Sequence, residues 1–357
     1  MIETQPTDEV NDASQQHVLR IERSIVQKPT ITTLLIAIPL LVLISVAAQT
    51  RRPVPPPSAN IASYLPASDA VAIVDAKRML NETMPRILGG DAAKLAQANA
   101  EIEKFKTRTG VDFRSFDRVA LSVHYAYPDQ KTTKLETVAI AHGNFNANSM
   151  ASSVRAAGGG TSREEKYRGA TITIINVNDD VKLLGLWTMH IGELAICVLD
   201  QNSLAMGTPA NVHLAIDAGK PGRAPAELIA LATRDQTAVI GFGGNLTREL
   251  LTKLDLGNDT IAKDVSAIKQ VYGSVGSTQT DVTMNLVALT DSAAAAKNLS
   301  DTVEGLKQLG GIFIMRMTEP RKSLAESALN NLKVTARGTE LEIRTQVTAA
   351  SLAALVK

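Results

Sequence analysis

The feature that most constrains the fold is a pattern that occurs near the end of each half of the chain. It runs from a polar turn through Glu-Leu-x-Ile to Ser-Leu and small residues, in HIGELAICVLDQNSLAMG (190–207) and again in RGTELEIRTQVTAASLAALV (337–356). Three further pairs of segments match in the same order: 72–74 with 238–240, 115–123 with 267–275, and 139–150 with 286–297. This order predicts a duplicated unit that has lost residues in its second copy. The alternative is a similarity of composition among β-rich segments.

Each copy is predicted to contain a strand, two helices, two strands, a helix, one or two further helices or strands, and a closing hairpin. Short apolar runs between turn residues predict the strands, and cap signals such as Thr208 before Pro209 predict helix starts. The segment DSAAAAKNLSDTVEGLKQLGG predicts a long helix that ends at Gly310 and Gly311.

The fold class predicted from these elements is α+β. Because few helices connect the strands, we expect mainly antiparallel sheets with helices packed on one face. Two related modules are predicted, at residues 64–220 and 225–357, on either side of the Gly/Pro-rich break GKPGRAPA.

An apolar run without charged residues, ITTLLIAIPLLVLISVAA, occupies residues 31–48. It reaches the lower limit of a bilayer span, about 20 residues, and a soluble helix is rarely apolar on every face. We expect an uncleaved single-pass transmembrane helix, because a polar and flexible tail, residues 1–30, precedes the run. The alternative is a signal peptide cleaved near Ala48, with secretion of the rest. A Pro-rich stalk, residues 49–63, follows as an extended spacer.

Basic residues lie on both sides of the apolar run. Arg20, Arg23 and Lys28 favour a cytoplasmic N-terminus, with the bulk of the chain outside the cytoplasmic membrane. Arg51 and Arg52 support the opposite orientation.

Composition excludes several classes of function. The net charge is +1 and no long basic run occurs, which argues against nucleic acid as a partner. Aromatic residues make up 3% of the chain, fewer than sites that stack sugars or bases usually use. The single cysteine permits neither an intrachain disulfide nor a cysteine-rich metal site.

The segment GFGGN, residues 241–245, is the best candidate for a phosphate-binding loop. It lies between a predicted strand and a predicted helix, as a dinucleotide loop does. The pattern requires glycine at the position of Leu246, however, and Asn245 as a helix N-cap explains the segment equally well. We therefore expect no nucleotide cofactor.

Two histidines and the cysteine complete the candidates for chemistry. His124 and His142 lie on neighbouring predicted strands, where a shared face would allow metal binding, but structural histidines are the simpler expectation. Cys197 lies in an apolar strand without a visible activating base, which predicts a core residue rather than a nucleophile. Its alignment with Arg344 in the repeat points instead to a more exposed position. We therefore assign no catalytic, cofactor-binding or metal residues.

The segment YLPASDAVAIVDAKRML, residues 64–80, resembles the start of repeats in poorly characterised bacterial cell-envelope proteins. Those proteins combine one N-terminal membrane segment with tandem α+β repeats, and the resemblance implies no catalytic residues. We expect a membrane-anchored, extracytoplasmic protein that acts by binding or assembly, held in the membrane by residues 31–48, with envelope proteins or lipids as further partners. A binder of lipids or other hydrophobic ligands and an uncharacterised hydrolase are the alternatives.

Overall fold

The computed structural model describes residues 59–128, 133–183, 187–218, 223–253 and 259–355. The predicted N-terminal tail, the predicted transmembrane helix with its alternative cleavage site, and most of the predicted stalk lie outside these ranges. Within them, no helix is both long and apolar enough to cross a membrane.

The described strands form one continuous antiparallel sheet. Its spatial order is β11-β12-β10-β9-β8-β1-β2-β3-β7-β6-β5-β4. The strands are β1 Ala70–Val74, β2 Phe116–Ala126, β3 Lys134–Gly143, β4 Arg163–Tyr167, β5 Ala170–Leu183, β6 Trp187–Asp200, β7 Ser203–Gly207, β8 Ile240–Asn245, β9 Ile268–Ser277, β10 Asp281–Thr290, β11 Lys333–Arg337 and β12 Glu340–Thr348. The prediction of an α+β fold with antiparallel pairing is confirmed.

The two halves of the chain meet at the centre of the sheet. Strand β1 pairs with β8 so that Ala72 lies opposite Phe242. Outward from this junction the order is β1-β2-β3 on one side and β8-β9-β10 on the other, and each half then ends in hairpin strands. The first half carries four such strands and the second half two, so the arrangement on one side is a longer version of the other.

Helices fill the connections between the strands. They are α1 Ala59–Ser63, α2 Ala76–Arg78, α3 Met84–Leu88, α4 Ala92–Thr109, α5 Ala147–Gly158, α6 Pro209–Asp217, α7 Ala226–Ala232, α8 Arg248–Lys253, α9 Asp259–Ser266, α10 Ala293–Ile314, α11 Arg321–Asn330 and α12 Ala349–Ala353, with a π-helical turn at Met79–Thr83. Thr208 caps α6 as predicted, because its side chain accepts a hydrogen bond from Asn211 N.

The helices cover both faces of the sheet, so the prediction of helices on one face is wrong. Alternate residues of β6 show this, because Ala195 and Cys197 pack into one core while Leu194 and Ile196 pack into another. Both sets are buried, which requires a covering layer on each side of the strand.

On one face, α1, α6 and α7 cover the first half and the junction. Their side chains Ile61, Val212 and Leu228 pack with Ile73 and Ile140 of the sheet. We call this the α7 face.

On the opposite face, which we call the α10 face, α4 and α5 cover the first half, and α10, α11 and α12 cover the second. Leu299 of α10 packs with Leu341 of β12, and Leu324 of α11 packs with Val347. Lys94 of α4 donates a hydrogen bond to the carbonyl of Ala353 in α12 (2.7 Å), so the last helix contacts a helix of the first half.

Helix α10 is longer than predicted. The sequence indicated an end at Gly310 and Gly311, but the helix continues to Ile314. Neither glycine has a positive φ angle, so neither takes the left-handed conformation that ends helices. A glycine inside a helix costs about 1 kcal/mol relative to alanine, which the packing of a 22-residue helix tolerates.

Candidate functional site

The two histidines considered for metal binding lie at opposite ends of the β2–β3 pair. His124 faces Glu136 across the strands, whereas His142 faces Arg118. The alternative of a metal site shared by these two histidines therefore does not hold. Among the residues that the structure describes, no group of three or more His, Cys, Asp or Glu side chains could hold a metal ion.

Each of these histidines is bound to a structural partner. His124 Nδ1 lies 2.8 Å from Asp69 Oδ2, and the same carboxylate oxygen accepts a hydrogen bond from Tyr125 N. His142 Nδ1 lies 3.0 Å from the hydroxyl oxygen of Ser203. Both histidines thus serve to position neighbouring strands and turns.

The contact between His142 and Ser203 extends to Asp200, but the order of the three groups does not fit nucleophilic catalysis. A catalytic histidine lies between the serine and the carboxylate, whereas here Ser203 lies between His142 and Asp200 and is fully buried. The serine hydroxyl therefore joins His142 of β3 to Asp200 at the β6–β7 turn.

Asp200 is the hydrogen-bond acceptor at the centre of this turn. Tyr64 donates its hydroxyl to Oδ2 (3.0 Å) and Asn202 donates its backbone N–H to Oδ1 (2.9 Å). Partial burial would raise the pKa of Asp200, but the hydrogen bonds from Asn202, Ser203 and Tyr64 outweigh it and hold the pKa below its ordinary value.

A second polar cluster fastens edge strand β4 to helix α6. His213 Nε2 lies 2.6 Å from Glu165 Oε1, and its ring stacks on Tyr167 with centroids 4.0 Å apart. The Tyr167 hydroxyl donates to Asp217 Oδ2 (2.9 Å), and Arg168 Nε lies 2.8 Å from the other carboxylate oxygen. Each charged or aromatic side chain of this cluster therefore contacts another member of the cluster.

Cys197 is a buried core residue. It is 1% exposed, and burial raises the pKa of its thiol to about 11. A thiol with such a pKa is almost wholly protonated near neutral pH, so it is not a nucleophile. The expectation of a core cysteine is confirmed, and the exposed position suggested by its alignment with Arg344 is wrong.

The glycines of GFGGN lie within strand β8 rather than in a loop. A Cβ atom on Gly241 would lie 1.9 Å from the carbonyl oxygen of Ala232, and one on Gly243 would lie 2.7 Å from Leu231 Cβ. The glycines therefore allow helix α7 to approach the sheet closely. The segment is thus not a phosphate-binding loop.

The predicted N-cap role of Asn245 is also wrong. Asn245 is the last residue of β8, and its side-chain oxygen accepts a hydrogen bond from Gln270 (3.0 Å). Thr247 supplies the capping hydroxyl instead, which accepts from Leu250 N (3.1 Å) at the start of α8.

The feature that remains after these assignments is a group of apolar side chains at the C-terminal end of α10. Leu309, Ile312 and Phe313 are 51%, 51% and 52% exposed, and the adjoining Met315 is 70% exposed. Spacings of three and four residues place the first three on one helix face. We call these four residues the α10 stripe.

The stripe lies on the side of the helix that points away from the sheet. Leu299 and Ile314 are buried instead, and Leu299 packs with Ala288 of β10 and Leu341 of β12. The exposed side continues toward the N-terminus through Gly305 and Asp301, and Arg316 follows at the C-terminal end. The stripe is therefore the apolar section of a longer exposed helix face with charged ends.

Exposed large apolar side chains elsewhere in the described residues are isolated. Leu135 lies on β3 and Leu214 on α6, each without a second large exposed apolar residue on its own element. Contiguous exposed apolar surface is typical of interaction sites, whereas single residues need no explanation. The α10 stripe is therefore the candidate functional site.

Sequence reasoning missed the stripe because it ended the helix at Gly311. The signal was present in the next four residues, Ile312 to Met315, which are all apolar. A helix that packs on one side only does not need four consecutive apolar residues. A helix that is apolar on more than one side has a second surface to cover.

No model of a known protein family matches the chain, and no curated protein matches it either. Solved structures of TP0453 are similar to it at low identity. Crystal form III is 11% identical with a TM-score of 0.42, covering 85% of this chain and 98% of that one. Crystal form IV is 10% identical with a TM-score of 0.43, covering 83% and 95%. Similarity at this level carries no argument about function.

Proposed function

We propose that the protein is a non-catalytic, membrane-tethered assembly protein that binds a protein partner through the α10 stripe. In this proposal residues 31–48 anchor the chain, the part of the predicted stalk before α1, residues 49–58, forms the spacer, and the α+β part lies outside the cytoplasmic membrane. Residues 59–63, predicted as the end of the stalk, instead form α1, whose Ile61 is buried in the core.

The observation that carries the proposal is the exposure of the stripe. Apolar surface in water costs about 25 cal/mol per Å² relative to burial, and four large apolar side chains are exposed close together in sequence at the end of one helix. Patches of this kind mark contact surfaces in soluble domains. The fold of the described chain does not require the stripe, because α10 is already packed through Leu299 and Ile314.

The polar clusters support binding over catalysis. His142, His213 and Asp200 are bound to structural partners, and the thiol of Cys197 is buried and protonated. Catalytic acids, bases and nucleophiles need access to a substrate. The described arrangement uses these groups to join strands, turns and helices.

The proposal includes descent of both halves from one unit. The shared order of β1-β2-β3 and β8-β9-β10 on the two sides of the junction supports it, as does the sequence recurrence. The sequence match aligns β6 with β12, but these two strands do not occupy equivalent positions in the sheet. Strand β12 lies directly beside β10, whereas β7 lies between β3 and β6. The closing strands therefore need a different alignment.

The proposal is tested by photo-crosslinking in membranes that contain the full chain. A photoreactive amino acid replaces Leu309 in one variant and Leu214, an exposed leucine of α6 on the α7 face, in the matched control. We expect discrete protein adducts from position 309 and none from position 214. Adducts with lipid alone, or equal adducts at both positions, would show that the stripe does not bind a protein.

A further inference from the structure

We infer that the partner of the α10 stripe is a second copy of this chain, bound so that the two α10 helices pack antiparallel about a twofold axis at Leu309. The inference rests on the proposed function and names the partner at that site. It follows from the shape and charge of the exposed helix face.

The shape of the face is self-complementary. Phe313 lies four residues after Leu309 and Gly305 lies four residues before it, about 6 Å away along the helix axis in each direction. A Cβ atom on Gly305 would have no neighbour within 4 Å, so this position on the exposed face is open to an approaching side chain. In an antiparallel pair centred on Leu309, each Phe313 lies over the Gly305 of the other copy.

The charges of the face are complementary in the same arrangement. Arg316 lies seven residues after Leu309 and Asp301 eight residues before it, and both are exposed. The twofold axis therefore places each Arg316 near the Asp301 of the other copy. Asp301 also lies 2.7 Å from Lys297 of its own chain, and an exposed pair of this kind costs little to rearrange.

A parallel pair of helices fits the same face less well. It would place Phe313 against Phe313, leave Gly305 beside Gly305, and bring the two Asp301 carboxylates together. Like charges that face each other across an interface are unfavourable. An isologous antiparallel contact, in which each surface element meets its complement, avoids all three conflicts.

A lipid surface also fits the face less well. The exposed side that carries the stripe includes Asp301 about 12 Å from Leu309 along the axis. The same face carries the exposed Arg316, so its two ends have opposite charges, unlike the Lys/Arg-rich side of helices that bind anionic bilayers. A second copy places each of these charges near its opposite, whereas anionic headgroups attract Arg316 and repel Asp301.

The interface is small, so the membrane tether is part of the mechanism. Stable soluble dimers bury about 1,200–2,000 Å², more than two short helix segments provide. Anchoring both copies in one bilayer raises their effective concentration without any new contact. We therefore expect dimers in membranes at protein densities where the same face would give weak association in solution.

Disulfide crosslinking of the full chain in membranes tests the register. The single variants are Leu309→Cys, Phe313→Cys and the control Asn298→Cys, and a mixture combines Gly305→Cys with Phe313→Cys. Buried Cys197 stays in place as an unreactive internal reference.

We expect Leu309→Cys to form dimers at least about tenfold more than Asn298→Cys, since cysteines more than about 7 Å apart cannot bridge. The mixture should crosslink, whereas Phe313→Cys alone should not, because its two copies lie about 12 Å apart along the axis.

Three results would overturn the inference. Crosslinking of Phe313→Cys as strong as that of Leu309→Cys would exclude the antiparallel register. A partner other than this chain at position 309, without self-crosslinking, would exclude the second copy but leave the proposed function intact. If position 309 forms no protein adducts in the photo-crosslinking experiment, both this inference and the proposed function are wrong.

Discussion

Gly241 shows how a single residue decides the packing at the centre of the sheet. Its lack of a side chain lets α7 lie against β8 with the carbonyl oxygen of Ala232 in the space that a Cβ atom would occupy. From the sequence alone the glycines resembled a loop, because a strand glycine that accommodates a helix and a loop glycine that binds phosphate have the same local pattern. The distinction depends on residues that are close only in the folded chain.

The Gly241→Ala variant should lose more than about 2 kcal/mol of stability, because the added methyl group forces the helix or the strand to move. The matched control is Gly192→Ala in β6, where a Cβ atom meets nothing within 4 Å. Its stability should change by less than about 0.5 kcal/mol. Denaturant unfolding of both variants checks this, and equal effects would contradict the packing role of Gly241.

Asp200 predicts a pH dependence of stability. Its pKa is lowered in the folded state, so its contribution is complete above its ordinary value of 3.8 and is lost as the pH falls through the lowered folded value. The Asp200→Asn variant should therefore be less stable than the wild type near neutral pH, with a difference that vanishes in acid. Tyr64→Phe, which removes one donor, should show a smaller difference. Unfolding measured across pH 2–7 tests this, and a difference that grows in acid would contradict it.

At the scale of elements, local signals predicted the starts of helices better than their ends. Thr208 before Pro209 marks a start that depends only on neighbouring residues, and the structure confirms it. Near its end, α10 lies so close to α11 that a side chain on Gly310 would touch Leu329. Because these contacts are distant in sequence, the glycine pair was misread as a stop and the stripe beyond it was missed.

Substitutions on the two sides of α10 should separate folding from binding. Phe313→Ala should change the free energy of unfolding by less than about 0.5 kcal/mol, because its side chain is exposed. Leu299→Ala should cost about 2–5 kcal/mol, because it leaves a cavity beside Leu341. A large loss of stability in Phe313→Ala would mean that the stripe belongs to the core.

At the scale of the whole molecule, the sequence predicted the fold class and the antiparallel pairing, but neither the continuity of the sheet nor the layers on both faces. Pairing between β1 and β8 joins backbones about 170 residues apart, and backbone hydrogen bonds leave no pattern in the side chains. The alternation in β6 was visible, but both sets of residues are apolar, so it could not show which face was covered.

Continuity of the sheet predicts that the two halves unfold together. Leu352 of α12 is buried in a core that also includes Ile87 of α3, so Leu352→Ala should lower protection throughout the sheet. Hydrogen exchange at β2 and β10 should accelerate by similar factors. Acceleration confined to β10 would show that the halves unfold separately.

The central claim is that the α10 stripe assembles the protein in the membrane, and the oligomeric state of the full chain in a bilayer tests it most directly. Single-molecule photobleaching of the wild type in membranes should show mainly two steps. Leu309→Ser should show mainly one step, while the matched control Leu214→Ser, which removes an exposed leucine on α6, should remain dimeric. A Leu309→Ser variant as dimeric as the wild type, or a wild type that is monomeric, would contradict the claim.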